Sequence, residues 1–398
     1  MEQNNISLLT INGGSSGIKF SLYKITEPLT QILYGEIKNM DKTNAKLHFT
    51  YSANHQKINK DIDIQGRKNI SGFLIDFLVQ QYDMQTVSAI GHRIVHGMKH
   101  TNPQRITPQL LRELKKISNY DPEHLPGEIS LIEAFAKRFS EIPQVACFDT
   151  AFHSTMPAVA KLLPIPRRYY KLGIQRYGFH GLSYAYLLEE LEKIAGEETA
   201  QGKIIMAHLG NGASLAAVID GECIETSMGF TPASGIPMGT RPGDLDPGIA
   251  WYLMQFEKLN PDQFNKLINH ESGLLGISET SSDMQELLKI QSTDSRAAEA
   301  IELFCYQVIK WIGSFNAVLG GLNTLVFSGG IGTHAPEIRS RICARLQFLG
   351  IELEETKNLN NEAIISTDAS KVCVRVIKTN EELMIAKMTR NVLEIENK

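Results

Sequence analysis

ISLLTINGGSSGIKFSLYKI, residues 6 to 25, is an apolar run, a turn of glycines and hydroxyls, and a second apolar run. GKIIMAHLGNGASLAAVIDGECIE, residues 202 to 225, repeats that order about 200 residues later. In each, one strand enters a glycine turn and a second leaves it, so the backbone of the turn is open to an anion. A single hairpin of this kind is as easily a plain turn as a phosphate cradle. Two of them predict a duplicated fold with a cleft between its halves.

Outward from these hairpins, segments with strand character alternate with segments of helical period. GKIIMAHL and NTLVFSG are continuous apolar runs, which predicts strands in sheets covered on both faces and an α/β class. Between Ser295 and Leu319 apolar residues fall at 297, 298, 301, 304, 305, 308, 309, 312, 315 and 319, a helical stripe that Gly320 and Gly321 stop. The stretch from Lys57 to Lys68 is polar and is expected to be a surface excursion.

The 398 residues are enough for two domains with sizeable cores. Forty-four acids against 40 bases give a formal charge of -4, so no basic field exists for nucleic acid or an anionic membrane. The uncharged stretch from Trp311 to Thr333 holds six glycines and several amides and hydroxyls, too polar and broken to span a bilayer. Cys147, Cys223, Cys305, Cys343 and Cys373 are odd in number and at least 30 residues apart, read as buried reduced thiols of a cytoplasmic protein. The N-terminus has no basic region before its short apolar run, which argues against a secretory signal.

Three loops have the composition to hold phosphate. Asn12-Gly13-Gly14-Ser15-Ser16-Gly17-Ile18-Lys19 offers backbone N–H groups, hydroxyls and a point charge. His208-Leu209-Gly210-Asn211-Gly212-Ala213-Ser214 has the same chemistry with a histidine and an asparagine. Phe327-Ser328-Gly329-Gly330-Ile331-Gly332 follows a strand and is expected to open a helix, where consecutive amides face an anion. Neither of the last two fits P-loop or Rossmann spacing, and together the three loops point to a polyphosphate substrate.

His92, His96 and His100 are spaced four apart and would share a face if helical, but Ile94, Val95 and Gly97 favour a strand, leaving Arg93 as the residue of interest. Arg241 sits in Gly239-Thr240-Arg241-Pro242-Gly243-Asp244-Leu245-Asp246, either as a presented functional group or as a clamp on Asp244 or Asp246. Asp149 follows a short apolar strand and reads as a catalytic acid or a helix N-cap; Glu381 and Glu382 are further acids for a metal shell. Gly178 and Gly181 would let the backbone bring Phe179 and His180 close to a ligand.

As a set, these segments resemble the acetokinase family of the actin, heat-shock ATPase and sugar-kinase superfamily. Glu225-Thr226-Ser227-Met228-Gly229-Phe230-Thr231-Pro232 and Ser272-Gly273-Leu274-Leu275-Gly276-Ile277-Ser278 add to the resemblance, which spans essentially the whole chain. It implies two ribonuclease-H-like domains flanking an active-site cleft, residues 1–149 with 384–398 and residues 150–383, in a homodimer. It also implies reversible phosphoryl transfer from ATP to acetate or another short carboxylate such as propionate, with Mg2+ or Mn2+.

By the same resemblance, Asn12 and Glu381 belong to the metal site and Asp149 is catalytic. Arg93 and Arg241 hold the carboxylate and the transferring phosphoryl group, and His180 stabilises the transition state. Val95, Phe179 and Pro232 match an apolar acyl pocket. Asn211, Gly212, Gly330, Ile331 and Gly332 match nucleotide contacts, with His208, Leu209, Gly210, Asp283, Met284, Gln285, Lys19 and Ser15 assigned to the same nucleotide side. Departures from the family pattern are Gly17 for a serine, Gln285 for an arginine, and Thr333-His334 for Glu-Asn. In Asp121-Pro122-Glu123-His124-Leu125-Pro126, Glu123 stands where the family has a leucine of the methyl pocket; it either alters acyl choice or turns away to pair with a base. A kinase for a larger or more polar carboxylate and a nucleotide-sensing binding protein are the rival readings, and transfer through a phosphoenzyme on Asp149 or Glu381 is the chemical alternative to direct transfer.

Overall fold

The computed structural model describes residues 6–14, 17–40, 45–62 and 70–394 of the chain. It divides into two compact units, one formed by the chain up to Ala151 together with the segment from Asn380, the other by Phe152–Thr379.

The first unit is built on an eight-stranded sheet. Its strands are β1 (Ser7–Gly13), β2 (Gly17–Lys24), β3 (Thr30–Lys38), β4 (Ala45–Tyr51), β5 (Gln56–Ile62), β6 (Val87–Ile94), β7 (Gln104–Arg105) and β8 (Gln144–Phe148), in the order β5-β4-β3-β2-β1-β6-β8-β7. The sheet is antiparallel from β1 to β5, while β1, β6 and β8 run parallel. Every residue of β1 and β8 is buried because both faces are covered, which is why these strands read as unbroken apolar runs. Helices Ile70–Gln81 and Leu125–Arg138 add Leu74, Leu78, Leu131 and Phe135 to one core. Helix Glu381–Leu393 returns from the far end of the sequence to pack on β1, β6 and β8. Its approach is so close that a Cβ on Gly91 would lie 2.2 Å from Thr389 Oγ1.

The expected surface excursion is corrected in part: residues 56–62 form edge strand β5, antiparallel to β4, and residues 63–69 lie outside the described set. An edge strand with one face in water needs little apolar character, and Lys57 and Lys60 suit it because charge there blocks further pairing.

The second unit carries a five-stranded sheet of β9 (Ile204–Leu209), β10 (Ala213–Ile219), β11 (Glu222–Thr226), β12 (Thr324–Ser328) and β13 (Cys373–Val376), ordered β11-β10-β9-β12-β13. An antiparallel meander β9-β10-β11 followed by parallel β12 and β13 repeats the arrangement of β1-β2-β3, β6 and β8 in the first unit. The two look-alike hairpins are thus the first two strands of two copies of one ribonuclease-H-like topology. Helix Gly181–Ala195 packs Tyr184, Leu187 and Leu191 on Ile204, Met206 and Val326. Helix Ser295–Leu319 buries eight of the ten stripe residues, Ala297 through Leu319, together with Ala300, and Gly320 ends it in the left-handed region at φ 64°. Ala298 and Ile309 lie at the margin of the stripe and are only half-buried. Among the described residues no helix is long and apolar enough to cross a membrane.

Candidate active site

In the first unit the candidate side chains gather at the C-terminal ends of the parallel strands, the usual ligand edge of such sheets. β6 presents Arg93, and the turn after β8 presents Asp149. Arg93 donates from Nη1 to the Gly13 carbonyl at 2.9 Å and to Glu128 Oε1 at 3.2 Å, and from Nη2 to Asp149 Oδ2 at 2.9 Å. Burial alone would disfavour the guanidinium charge, but Asp149, Glu128 and Glu381 more than offset it and raise the Arg93 pKa. Glu128 also accepts from the Val95 backbone N–H through Oε2 at 2.9 Å. Val95 is buried just beyond the end of β6.

Asn12, the penultimate residue of β1, donates through Nδ2 to Glu381 Oε2 at 2.8 Å and Glu382 Oε1 at 3.1 Å. Asn380 caps helix Glu381–Leu393 by accepting from Leu383 N, which places both acids in its first turn. Burial and the neighbouring Glu381 hold the Glu382 carboxyl above the ordinary carboxylate range. This crowding of hard oxygen donors is one that a divalent cation relieves, so the residues fit Mg2+. Among the described residues no group of three or more His, Cys, Asp or Glu forms a metal cage, and Mg2+ commonly takes only one or two protein carboxylates, with waters and phosphates completing its shell. Lys19 stands opposite Asn12 in the β1–β2 register; desolvation pulls its pKa down, but Glu382, Glu381 and Glu36 prevail and raise it. Ser15 lies outside the described residues. His92 is buried in β6, and His100 pairs with Glu113 at 3.0 Å.

In the second unit the β9–β10 loop meets Arg241 and His180. A Cβ on Gly212 would lie 2.9 Å from Arg241 Nη2 and 3.2 Å from His180 Nε2, so both side chains front the bare Cα of one glycine. Arg241 also donates from Nη1 to the Pro232 carbonyl at 2.6 Å. Asp244 and Asp246 spend carboxylate oxygens on the Gly235 and Gly248 N–H groups. His180 is a non-glycine residue in the left-handed region, φ 58°, at the start of helix Gly181–Ala195. Its Nδ1 pairs with Ser214 Oγ at 2.9 Å, Tyr184 OH bonds that same oxygen at 2.5 Å, and the ring stacks on His208 at 4.4 Å. Ser183 pairs with His208 Nδ1 at 2.8 Å. Phe179 is fully enclosed, and its carbonyl accepts from His153 Nε2 at 2.9 Å.

Beside that loop lies a cavity of about 560 Å³ whose walls include Gly210, Asn211, Asp283, Met284, Gln285, Gly330 and Ile331. Gly329–His334 is a short helix directly after β12, as expected of the glycine loop. Asp283 caps helix Met284–Ile290 by accepting from Gln285 N and Glu286 N. Leu209 is buried at the end of β9, and Gly332 is buried within its helix. Of the two departures there, His334 lines the cavity, whereas Thr333 turns inward to donate to the Gly329 carbonyl at 2.6 Å. A second cavity, about 360 Å³, lies in the first unit against Gly13, Glu123, His124 and Glu128, so Glu123 does face a cavity.

Glu128, Tyr184 and His153 were not singled out from the sequence, and Ser214 only as one hydroxyl of its glycine loop. For Glu128 a signal existed: in LPGEISLIEAF it shares the helical face of Leu125, Ile129, Leu131, Ile132 and Phe135, so an acid occupies a core position. Nothing local marks the others.

The model of the acetokinase family matches residues 7–387. The chain is 41% identical over 387 residues to an acetate kinase of Rhodopseudomonas palustris, covering 96% of each. It is 40% identical over 387 residues to a propionate kinase of Citrobacter rodentium, covering 96% of this chain and 95% of that one. Among solved structures, a propionate kinase from Francisella tularensis superposes with a TM-score of 0.90 at 38% identity over 97% of this chain and 100% of that one. A Porphyromonas gingivalis acetate kinase gives 0.86 at 34% identity, covering 98% and 100%.

Proposed function

The chain belongs to the acetokinase family, and from that premise we infer that it transfers a phosphoryl group reversibly between ATP and acetate, with propionate as the alternative acceptor. The observation that carries this reading is the convergence of Arg241 and His180 on Gly212, in the loop that also lines the nucleotide-sized cavity.

The chemical demand is electrostatic. A carboxylate attacking a phosphate brings together anions that repel by about 4 kcal/mol at 4 Å and an effective dielectric of 20. Arg93 is assigned to the acceptor carboxylate, because its planar fork suits two oxygens. Arg241 and His180 are assigned to the transferring phosphoryl group. We assign Ser214 as accepting from Tyr184 and donating to His180 Nδ1, a direction that leaves the ring proton on Nε2 to donate. No general base is required, since the acceptor is already ionised, and a single in-line transfer needs no phosphoenzyme on Asp149 or Glu381. Asn12 and Glu381 are assigned to Mg2+, which when bound neutralises phosphate charge. Gly210, Asn211, Gln285, Gly330 and Ile331 are assigned to the nucleotide.

A coupled assay with ATP, Mg2+ and either acetate or propionate tests the reading. Acetate-dependent ADP formation is expected, with acetate or propionate favoured over butyrate and hydroxy acids by kcat/KM; no turnover on any of them would reject it.

We also propose a cytoplasmic homodimer. Helix Pro247–Phe256 buries none of its residues and exposes Ile249, Trp251, Tyr252 and Phe256, at 43%, 62%, 50% and 60%. An apolar helix so open to water suits a second copy of the chain. Light scattering is expected to give twice the chain mass for the native protein and the single-chain mass for a W251D/Y252E variant.

A further inference from the structure

Arg93 in the first unit makes three side-chain hydrogen bonds, and one of its partners is an acid that no part of the assigned chemistry uses. Glu128 is buried to 4% exposure, and its two oxygens are committed to Arg93 Nη1 and the Val95 N–H. It therefore touches both the guanidinium assigned to the acceptor carboxylate and the peptide of a residue assigned to the acyl pocket. Asp149 already balances the single charge of Arg93 at 2.9 Å, so an ionised Glu128 makes the triad net negative before any substrate arrives. A third carboxylate at Arg93 would then enter against that excess.

We propose that Glu128 is an internal carboxylate that competes with the acceptor acid for Arg93: ionised, it holds the guanidinium face; protonated, it releases that face to the acceptor. The proposal rests on the assignment of Arg93 to the acceptor carboxylate. Arg93 with Asp149 faces Glu128 from β6 and the end of β8, and Asp121 precedes its helix. Asp121 is itself paired with His124 and attracted by His96, while Glu123 shares the adjoining cavity. Burial, with repulsion from Asp121 and Asp149, outweighs the attraction of Arg93 and the Val95 N–H and pushes the Glu128 carboxyl up to about 8. Most of the resting enzyme at neutral pH would then be in the releasing form. Acceptor binding above that pH would draw one proton from solvent onto Glu128.

A small carboxylic acid stays ionised from pH 7 to 9, so a change in its affinity over that range belongs to the protein. The expected result for the native enzyme is an acetate KM roughly tenfold higher at pH 9 than at pH 7, the ratio for one proton leaving near pH 8, with little change in kcat. Glu128→Gln, neutral and of equal size, is expected to keep the low KM at both pH values. Parallel KM profiles for the two proteins overturn the proposal. If the variant does not fold, indicator-dye titration of the native protein decides: adding acetate at pH 8 in weak buffer should raise the pH through proton uptake, and no uptake overturns the proposal. A native enzyme inactive on all the short carboxylates defeats the functional assignment instead, whereas an active one with a flat profile defeats only the role of Glu128.

Discussion

Arg241→Ala is expected to lower kcat by about 10³-fold, within the range seen when a cation facing a transferring phosphoryl group is removed. Stability should change little. The guanidinium is half-buried, and losing its bond from Nη1 to the Pro232 carbonyl costs about 1 kcal/mol. Arg241→Lys should restore only a small part of the rate. Its ammonium is a point charge that cannot serve both the Pro232 carbonyl and the space before Gly212. Steady-state kinetics with a thermal melt separates the two effects. A variant that keeps native kcat would remove Arg241 from the phosphoryl site.

Asp149→Asn is expected to cost about 10² to 10³ in kcat while leaving the fold largely intact. Deleting one partner of a buried ion pair ordinarily destabilises by about 3–5 kcal/mol, because the other charge is left uncompensated. Here Glu128 still faces Arg93 at 3.2 Å, so the loss should fall nearer 1–2 kcal/mol. The catalytic loss follows from geometry: Nη2 of Arg93 is set by Asp149 Oδ2, and the fork loses its orientation when that charge goes. The substitution also removes a repulsion that helps keep Glu128 protonated, so the acetate KM at neutral pH should rise. Measuring kcat, KM and the melting temperature together checks this. A collapse in stability of 4 kcal/mol or more would mean that Glu128 does not compensate Arg93.

The sequence determined the parts of this protein that local backbone geometry encodes. A strand covered on both faces leaves an unbroken apolar run and one buried face of a helix leaves a 3.6-residue stripe, so the duplicated hairpins and helix Ser295–Leu319 were legible. The glycine loops were legible because only that residue lets other atoms come so near the backbone, as at Gly212. Strand β5 was not, since an edge strand with one wet face carries almost no apolar signature.

Tertiary structure alone decided which charges meet. Asn12 reaches Glu381 across a separation of 369 residues, and Arg93 reaches Asp149 and Glu128 across 56 and 35. The sequence named Arg93 and Asp149 as candidates but passed over Glu128, whose core-phase position is a weak clue beside the enclosure that shifts its proton affinity. That enclosure is set by the packing of helix Leu125–Arg138 against β6, and desolvation depends on every atom excluding water, whichever part of the chain supplies it.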